Sequence, residues 1–170
     1  MQDTITRYLA SVASGTDRLA LAKILYAIGD RMSCKTLSSP GLAIKSAAST
    51  VVKAGAAFYA VAQGVLVTKA ANTDMPALSG SVANGAFNVF CFCIDRWGGL
   101  SSAMGTAGAT LSAVQFPQIP VGCAQVGLIV VNPTGAGAFV GGTTALDDGT
   151  VVPNVAYLSP IGSFDPTILI

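Results

Sequence analysis

The chain has no histidine and no glutamate, and only 10% of its residues are charged. Without histidine, neither a Ser-His-Asp triad nor a Cys-His dyad can be built. Histidine-ligated zinc, haem and non-haem iron are excluded for the same reason. Without glutamate, every carboxylate pair must come from Asp3, Asp17, Asp30, Asp74, Asp95, Asp147, Asp148 and Asp165. Only Asp147 and Asp148 are adjacent, and Gly149 follows them. The alternating ligand spacing of a calcium loop is absent there, so the pair reads as a turn.

An excess of charge of one sign is missing too. Nine Lys and Arg stand against eight Asp, for a net charge of +1, and no basic footprint for nucleic acid exists. Between Arg96 and Asp147 there is no charged residue at all. Soluble surfaces normally carry about 25–35% charged residues. This stretch is therefore expected to be either deeply packed or covered by another subunit. A membrane span is rejected: the most apolar run, Val121 to Val131, gives way to Asn132-Pro133 and a Gly-rich stretch. It falls short of the ~20 apolar residues a helical span needs.

Cysteine is sparse and carries no metal or redox spacing. Cys34, Cys91, Cys93 and Cys123 contain no C-x-x-C. Cys91 and Cys93 would lie on one face of a strand as small buried hydrophobes. The N-terminus, Met1-Gln2-Asp3, lacks the basic and apolar regions of a signal peptide, so free thiols in a reducing cytoplasm are expected.

What is present divides the chain in two. Residues 1–39 read as a helical arm and residues 40–170 as a β-rich domain. In the arm, Ile5, Leu9 and Val12 recur at helical spacing before Ser14-Gly15 interrupts. A second helix is predicted over 16–32, with Thr16 as N-cap and Asp17 in the first turn. Leu21, Leu25, Ile28 and Met32 form its apolar stripe, which Leu19 and Ile24 widen. That stripe packs on the chain's own domain, on a sister helix or on another protein; periodicity alone does not choose.

After Pro40-Gly41 the punctuation becomes Gly, Pro, Asn and Ser, and the apolar runs shorten. Leu42 to Ala47 is a candidate strand. Ala56 to Ala62 and Val65 to Lys69 flank Gln63-Gly64, a two-residue hairpin signal. Ala70 to Asn84 reads as a polar link. Phe87 to Ile94 is the strongest strand; only Asn88 in it is polar, so both faces should be covered. Asp95 to Gly99 is a turn. Leu100 to Ala113 is small and polar without a clear period. Ala124 to Val131, Phe139-Val140 and Val155 to Leu158 are further strands. Short strands with frequent Gly and Pro turns predict a mainly β fold, an antiparallel β-sandwich or barrel-like domain.

Chemical motifs fail on detail. Gly135, Gly137, Gly141 and Gly142 do not keep the G-x-G-x-x-G spacing and no Lys-Ser/Thr follows. Turns and tight backbone packing explain them better. There is no G-x-S-x-G, and no cysteine has an imidazole to activate it. Arg96-Trp97 is a rim turn before it is a ligand contact, and Phe87, Phe90 and Phe92 are core by default.

One region has a family likeness. It comprises Phe116-Pro117-Gln118-Ile119-Pro120, the strand Ala124 to Val131, and the loop Gly137-Ala138-Phe139-Val140-Gly141-Gly142-Thr143-Thr144-Ala145-Leu146-Asp147. Upstream, Val52 to Phe58 and the hairpin after it look like the start of the same domain. Together these resemble tailed-phage head-fibre and capsid decoration (cement) proteins over roughly residues 45–150. The sequence departs at Gly141, where the pattern more often has proline. The resemblance implies a non-enzymatic virion protein on the capsid exterior, often trimeric and assembled in the host cytoplasm. Its partners would be the major capsid protein and further copies of itself, with no cofactor, nucleic acid or membrane. Leu21, Leu25, Ile28 and Met32 of the arm, with Phe139 and Val140 of the loop, are the candidate contact or anchoring residues. The alternative is a tail or fibre component that binds a host receptor, for which Trp97, Tyr157 and Asn154 are the only hints.

Overall fold

The computed structural model describes residues 15–162. The helix expected around Ile5, Leu9 and Val12 lies outside them. The second helix is present as α1, Gly15–Ser33. The rest is mainly β, a β-sandwich-like arrangement of several antiparallel sheets.

The largest sheet is built on the two most apolar runs. β7 (Asn88–Ile94) is buried at every residue, and β9 (Ala124–Asn132) at seven of its nine. They pair antiparallel, with β8 (Leu100–Met104) beyond β7 and β11 (Asn154–Leu158) beyond β9. Phe92 faces Gly127 but Cys93 faces Gln125, so Val126 is an extra residue and β9 bulges there. Asn88, the lone polar residue of β7, is satisfied: its amide donates to the Gly105 carbonyl at 3.0 Å and its oxygen accepts the Val89 N–H at 2.8 Å.

Smaller pieces close over one face of that sheet. β1 (Lys35–Thr36), β4 (Phe58–Ala62) and β5 (Val65–Lys69) form a three-stranded sheet. β2 (Leu42–Ile44) pairs with β3 (Val52–Ala54), and β6 (Ser81–Val82) with β10 (Phe139–Val140). Phe90, Phe92 and Ile94 share one core with Val52, Phe58, Val82 and Phe139. The opposite face of β7 is buried as well, at Val89, Cys91 and Cys93. There the chain after β8 folds back: Thr106 and Gln115 exchange backbone hydrogen bonds, Phe87 and Gly108 do likewise, and a Cβ on Gly105 would come within 3.0 Å of Val89 Cγ2.

Most of the segment expectations hold, with informative shifts. The hairpin at Gln63-Gly64 is present, and φ of 51° and 77° at those two residues is the left-handed pair a type I′ turn demands. The link over 70–84 is more than polar: Met75, Leu78 and Val82 enter the core. The unassigned region after Leu100 holds β8 and one 3-10 turn, Leu111–Ala113. Lys35 and Thr36 already pair with β4, ahead of the Pro40-Gly41 boundary, and Cys34 is in the core. Val121 to Val131 is mostly strand β9, and among the described residues no helix is long and apolar enough to cross a membrane.

Candidate functional site

Helix α1 is held at its C-terminal end, and every residue from Lys23 to Gly29 is exposed. A carboxylate in the last turn of a helix opposes the macrodipole. Asp30 occupies that position and is matched by a donor from elsewhere: Gly122 N–H reaches its two oxygens at 3.1 and 3.2 Å. The final carbonyls of a helix lack intrahelical donors. Here the Ser33 hydroxyl donates to the Asp30 carbonyl at 2.9 Å, and Gly64 N–H to the Ser33 carbonyl at 3.2 Å. Gln63 N–H points to Cys34 Sγ at 3.4 Å. The β4–β5 turn and the turn before β9 therefore grip one end of α1.

A groove lies where helix and hairpin meet, lined by Leu25, Tyr26, Gly29, Asp30, Ser33, Gln63 and Gly64. At about 100° per residue, Gly29, Ser33 and Tyr26 form one side of the helix. Leu21, Ile24, Ile28 and Met32 lie roughly a third of a turn round from them. Both sides are largely open, Tyr26 on the first being 66% exposed. Ile24, Ile28 and Met32 are 56%, 50% and 72% exposed, Leu25 is partly open and Leu21 half-buried. Of the three surfaces left open by the sequence, the chain's own β-domain is not the one that covers this stripe.

The two loop candidates separate. Phe139 is fully buried, packed edge-on against Phe90 with ring centroids 5.9 Å apart. Its side chain is core and has nothing to offer a partner. Val140 beside it is exposed. The rest of that loop is folding machinery. The Thr144 hydroxyl accepts Val140 N–H at 3.0 Å, Leu146 is buried, and the Asp147 carboxylate accepts Ala48 N–H at 3.0 and 3.1 Å. Gly141, the departure from the family-like pattern, donates its N–H to the Gly80 carbonyl at 2.9 Å. Proline has no such donor. Asp148 closes the next turn by accepting Thr150 N–H at 2.9 Å, which is the turn reading of the Asp pair.

Trp97 stands at the tip of the β7–β8 connection and is 82% exposed. The tip is rigid: Asp95 Oδ1 accepts Trp97 N–H at 2.9 Å and Gly99 N–H at 2.7 Å. The Arg96 guanidinium lies 5.3 Å from the Trp97 ring centroid. Tyr157, half-buried, and Asn154, exposed, both belong to β11, an edge strand of the large sheet.

All four cysteines are thiols. Burial, and after it the neighbouring Cys93, pushes the Cys91 thiol up to about 12 from its ordinary 9.0. Cys123 is also raised, first by burial and then by Asp95, Cys34 and Asp30. Raised thiols are poor nucleophiles at neutral pH. Among the described residues no group of three or more Cys and Asp is gathered as a metal site.

Sequence reasoning missed the clamp on α1. Its one local signal was Asp30 itself, a carboxylate where the dipole disfavours one. Comparison with known proteins adds no assignment: no family model, no curated protein and no solved structure matches this chain.

Proposed function

We propose that the chain is a non-enzymatic virion structural protein, a capsid decoration (cement) or head-fibre protein that seats on the outer shell and stabilises it through oligomeric contacts. One observation carries the reading: α1 is clamped to the β-domain while Ile24, Leu25, Ile28 and Met32 are exposed. Exposing each large apolar side chain costs roughly 1.5–3 kcal/mol relative to burial. A chain that fixes such a stripe in one orientation is built to have it covered by protein. The family-like run from Phe116 to Asp147 supplies the capsid context, and the charge-free stretch from Trp97 to Leu146 suits subunit contacts, whose cores are poor in charge.

The mechanism is burial of apolar and small-residue surface at about 25 cal/mol per Å2. Symmetric copies then turn weak single contacts into avidity. The partners are the major capsid protein and further copies of the chain, a homotrimer, on the capsid exterior after assembly in the host cytoplasm. The test is fractionation of purified particles into tail-less heads and tails. Retention on heads is expected; loss with the tails, or absence from particles, rejects the reading.

A second reading has its own observation. An 82%-exposed tryptophan on a rigid turn is a contact hot spot in form, which suits a tail or fibre component that binds a host surface receptor. Cell binding that is lost in Trp97→Ala and kept in Ile28→Asp would favour it.

A further inference from the structure

The stripe on α1 has a spacing of its own. Leu21, Leu25, Ile28 and Met32 step by four, three and four residues, the a/d rhythm of a coiled-coil seam, with Leu25 and Met32 at a and Leu21 and Ile28 at d. Leu25 at a with Ile28 at d is the leucine–isoleucine choice that favours bundles of more than two strands. Ile24 falls at g and broadens the seam on one flank, where a two-stranded coil would have water. The other flank carries Ala22 and Gly29 at e, small enough for helices to approach closely.

The clamp fixes where the β-domains fall in any such bundle. Helix and β-domain are joined through Cys34 alone, since α1 ends at Ser33 and β1 begins at Lys35. Asp30 and Ser33 then tie the helix end to Gly122 and Gly64. Copies whose helices run side by side in the same direction place their β-domains together at one end, and a rotation about the shared axis closes the set. Antiparallel pairing closes as an isologous dimer with the β-domains at opposite ends, where they add no contact to each other.

We propose that the occupant of this stripe is the same stripe of further copies, in a parallel bundle of at least three α1 helices that meet through Leu21, Leu25, Ile28 and Met32. The seam spans less than two heptads, which is short for an isolated coil. The neighbouring β-domains therefore add contact beside it. The inference rests on the proposed function only in taking the exposed arm as a contact surface, and its test uses no capsid.

The test is light scattering of the full purified chain at about 50 μM, with Ile28→Asp, Leu66→Asp and Met32→Cys alongside. The wild type should run at three or four chain masses, and Ile28→Asp at one, with the β-domain melt retained because Ile28 is 50% exposed and outside the core. Leu66 is exposed on β5, and Leu66→Asp should keep the wild-type mass. Met32→Cys should form an interchain disulfide on mild oxidation that the wild type does not, because a parallel bundle sets Met32 beside itself. A wild type of one or two chain masses, an Ile28→Asp that stays assembled, or dissociation by Leu66→Asp alone would overturn the proposal. Assembly without head binding leaves the bundle standing and removes the capsid reading; head binding by a monomer does the reverse.

Discussion

The Asp30 carboxylate and the Gly122 N–H, 92 positions apart, meet at 3.1 and 3.2 Å and fasten the end of α1 to the turn before β9. Hydrogen bonds to a charged group are worth about 1.5–3 kcal/mol where water is partly excluded. Asp30→Ala should therefore release α1 without unfolding the sheets. Amide exchange over 15–33 is expected to rise by one to two orders of magnitude while the amides of β7 and β9 keep their protection. Unchanged exchange in α1 would mean that the clamp holds nothing.

How far the sequence reached depends on how local each signal was. β7 and β9 announced themselves as unbroken apolar runs, and Gln63-Gly64 as a hairpin turn, because the cause of each lies within a few neighbouring residues. β1 and β6 are two residues long and exist only through partners further along the chain, such as Val82 opposite Phe139. No short window carries that information. The same limit hid Gly122 as the partner of Asp30. It also made Phe139 and Val140 look alike as contact candidates, although adjacent strand residues face opposite sides and one of them is core.

Substitution at those two positions should separate packing from contact. Phe139→Ala empties a core site against Phe90 and is expected to cost about 3–5 kcal/mol. Val140→Asp should leave the melting temperature within a degree or two. Urea titration of both variants checks this, and a Phe139→Ala protein as stable as wild type would contradict the burial of Phe139.

The glycines of the 135–149 region should respond to space and not to a shared ligand loop. A Cβ on Gly135 would lie 1.7 Å from the Thr150 carbonyl oxygen, a backbone atom that cannot swing aside. Gly149 has nothing within 4 Å. Gly135→Ala is expected to lower stability by more than about 2 kcal/mol, as overpacking against backbone does, and Gly149→Ala to be near neutral. Equal effects at both positions would return the stretch to a binding-loop reading.

The buried thiols predict a one-sided pH response. A group whose folded pKa is raised stabilises the fold below its unfolded pKa and loses that contribution as pH climbs toward the folded value. For Cys91 the window runs from about 9 to about 12. Stability should fall across it by up to about 1.4 kcal/mol per pH unit from this group. Cys91→Ala should flatten the slope of thermal midpoints measured between pH 8.5 and 10.5. At pH 8, iodoacetamide should reach Cys123 first, with four labels added once the chain is denatured. A steep slope retained in Cys91→Ala would assign the alkaline loss to other groups.

The most direct measurement is the oxidation rate of Met32 in the assembled protein, read by mass spectrometry after graded exposure to peroxide. Methionine converts to its sulfoxide at a rate set by access, and the chain carries its own buried reference: Met75 is 3% exposed. In the free chain Met32 is open, at 72%. If protein covers the α1 stripe in the working assembly, Met32 should oxidise nearly as slowly as Met75, and Ile28→Asp should restore fast oxidation at Met32. Fast oxidation of Met32 in the assembled wild type, level with the denatured chain, would contradict a covered stripe and with it the reading of α1 as a contact surface.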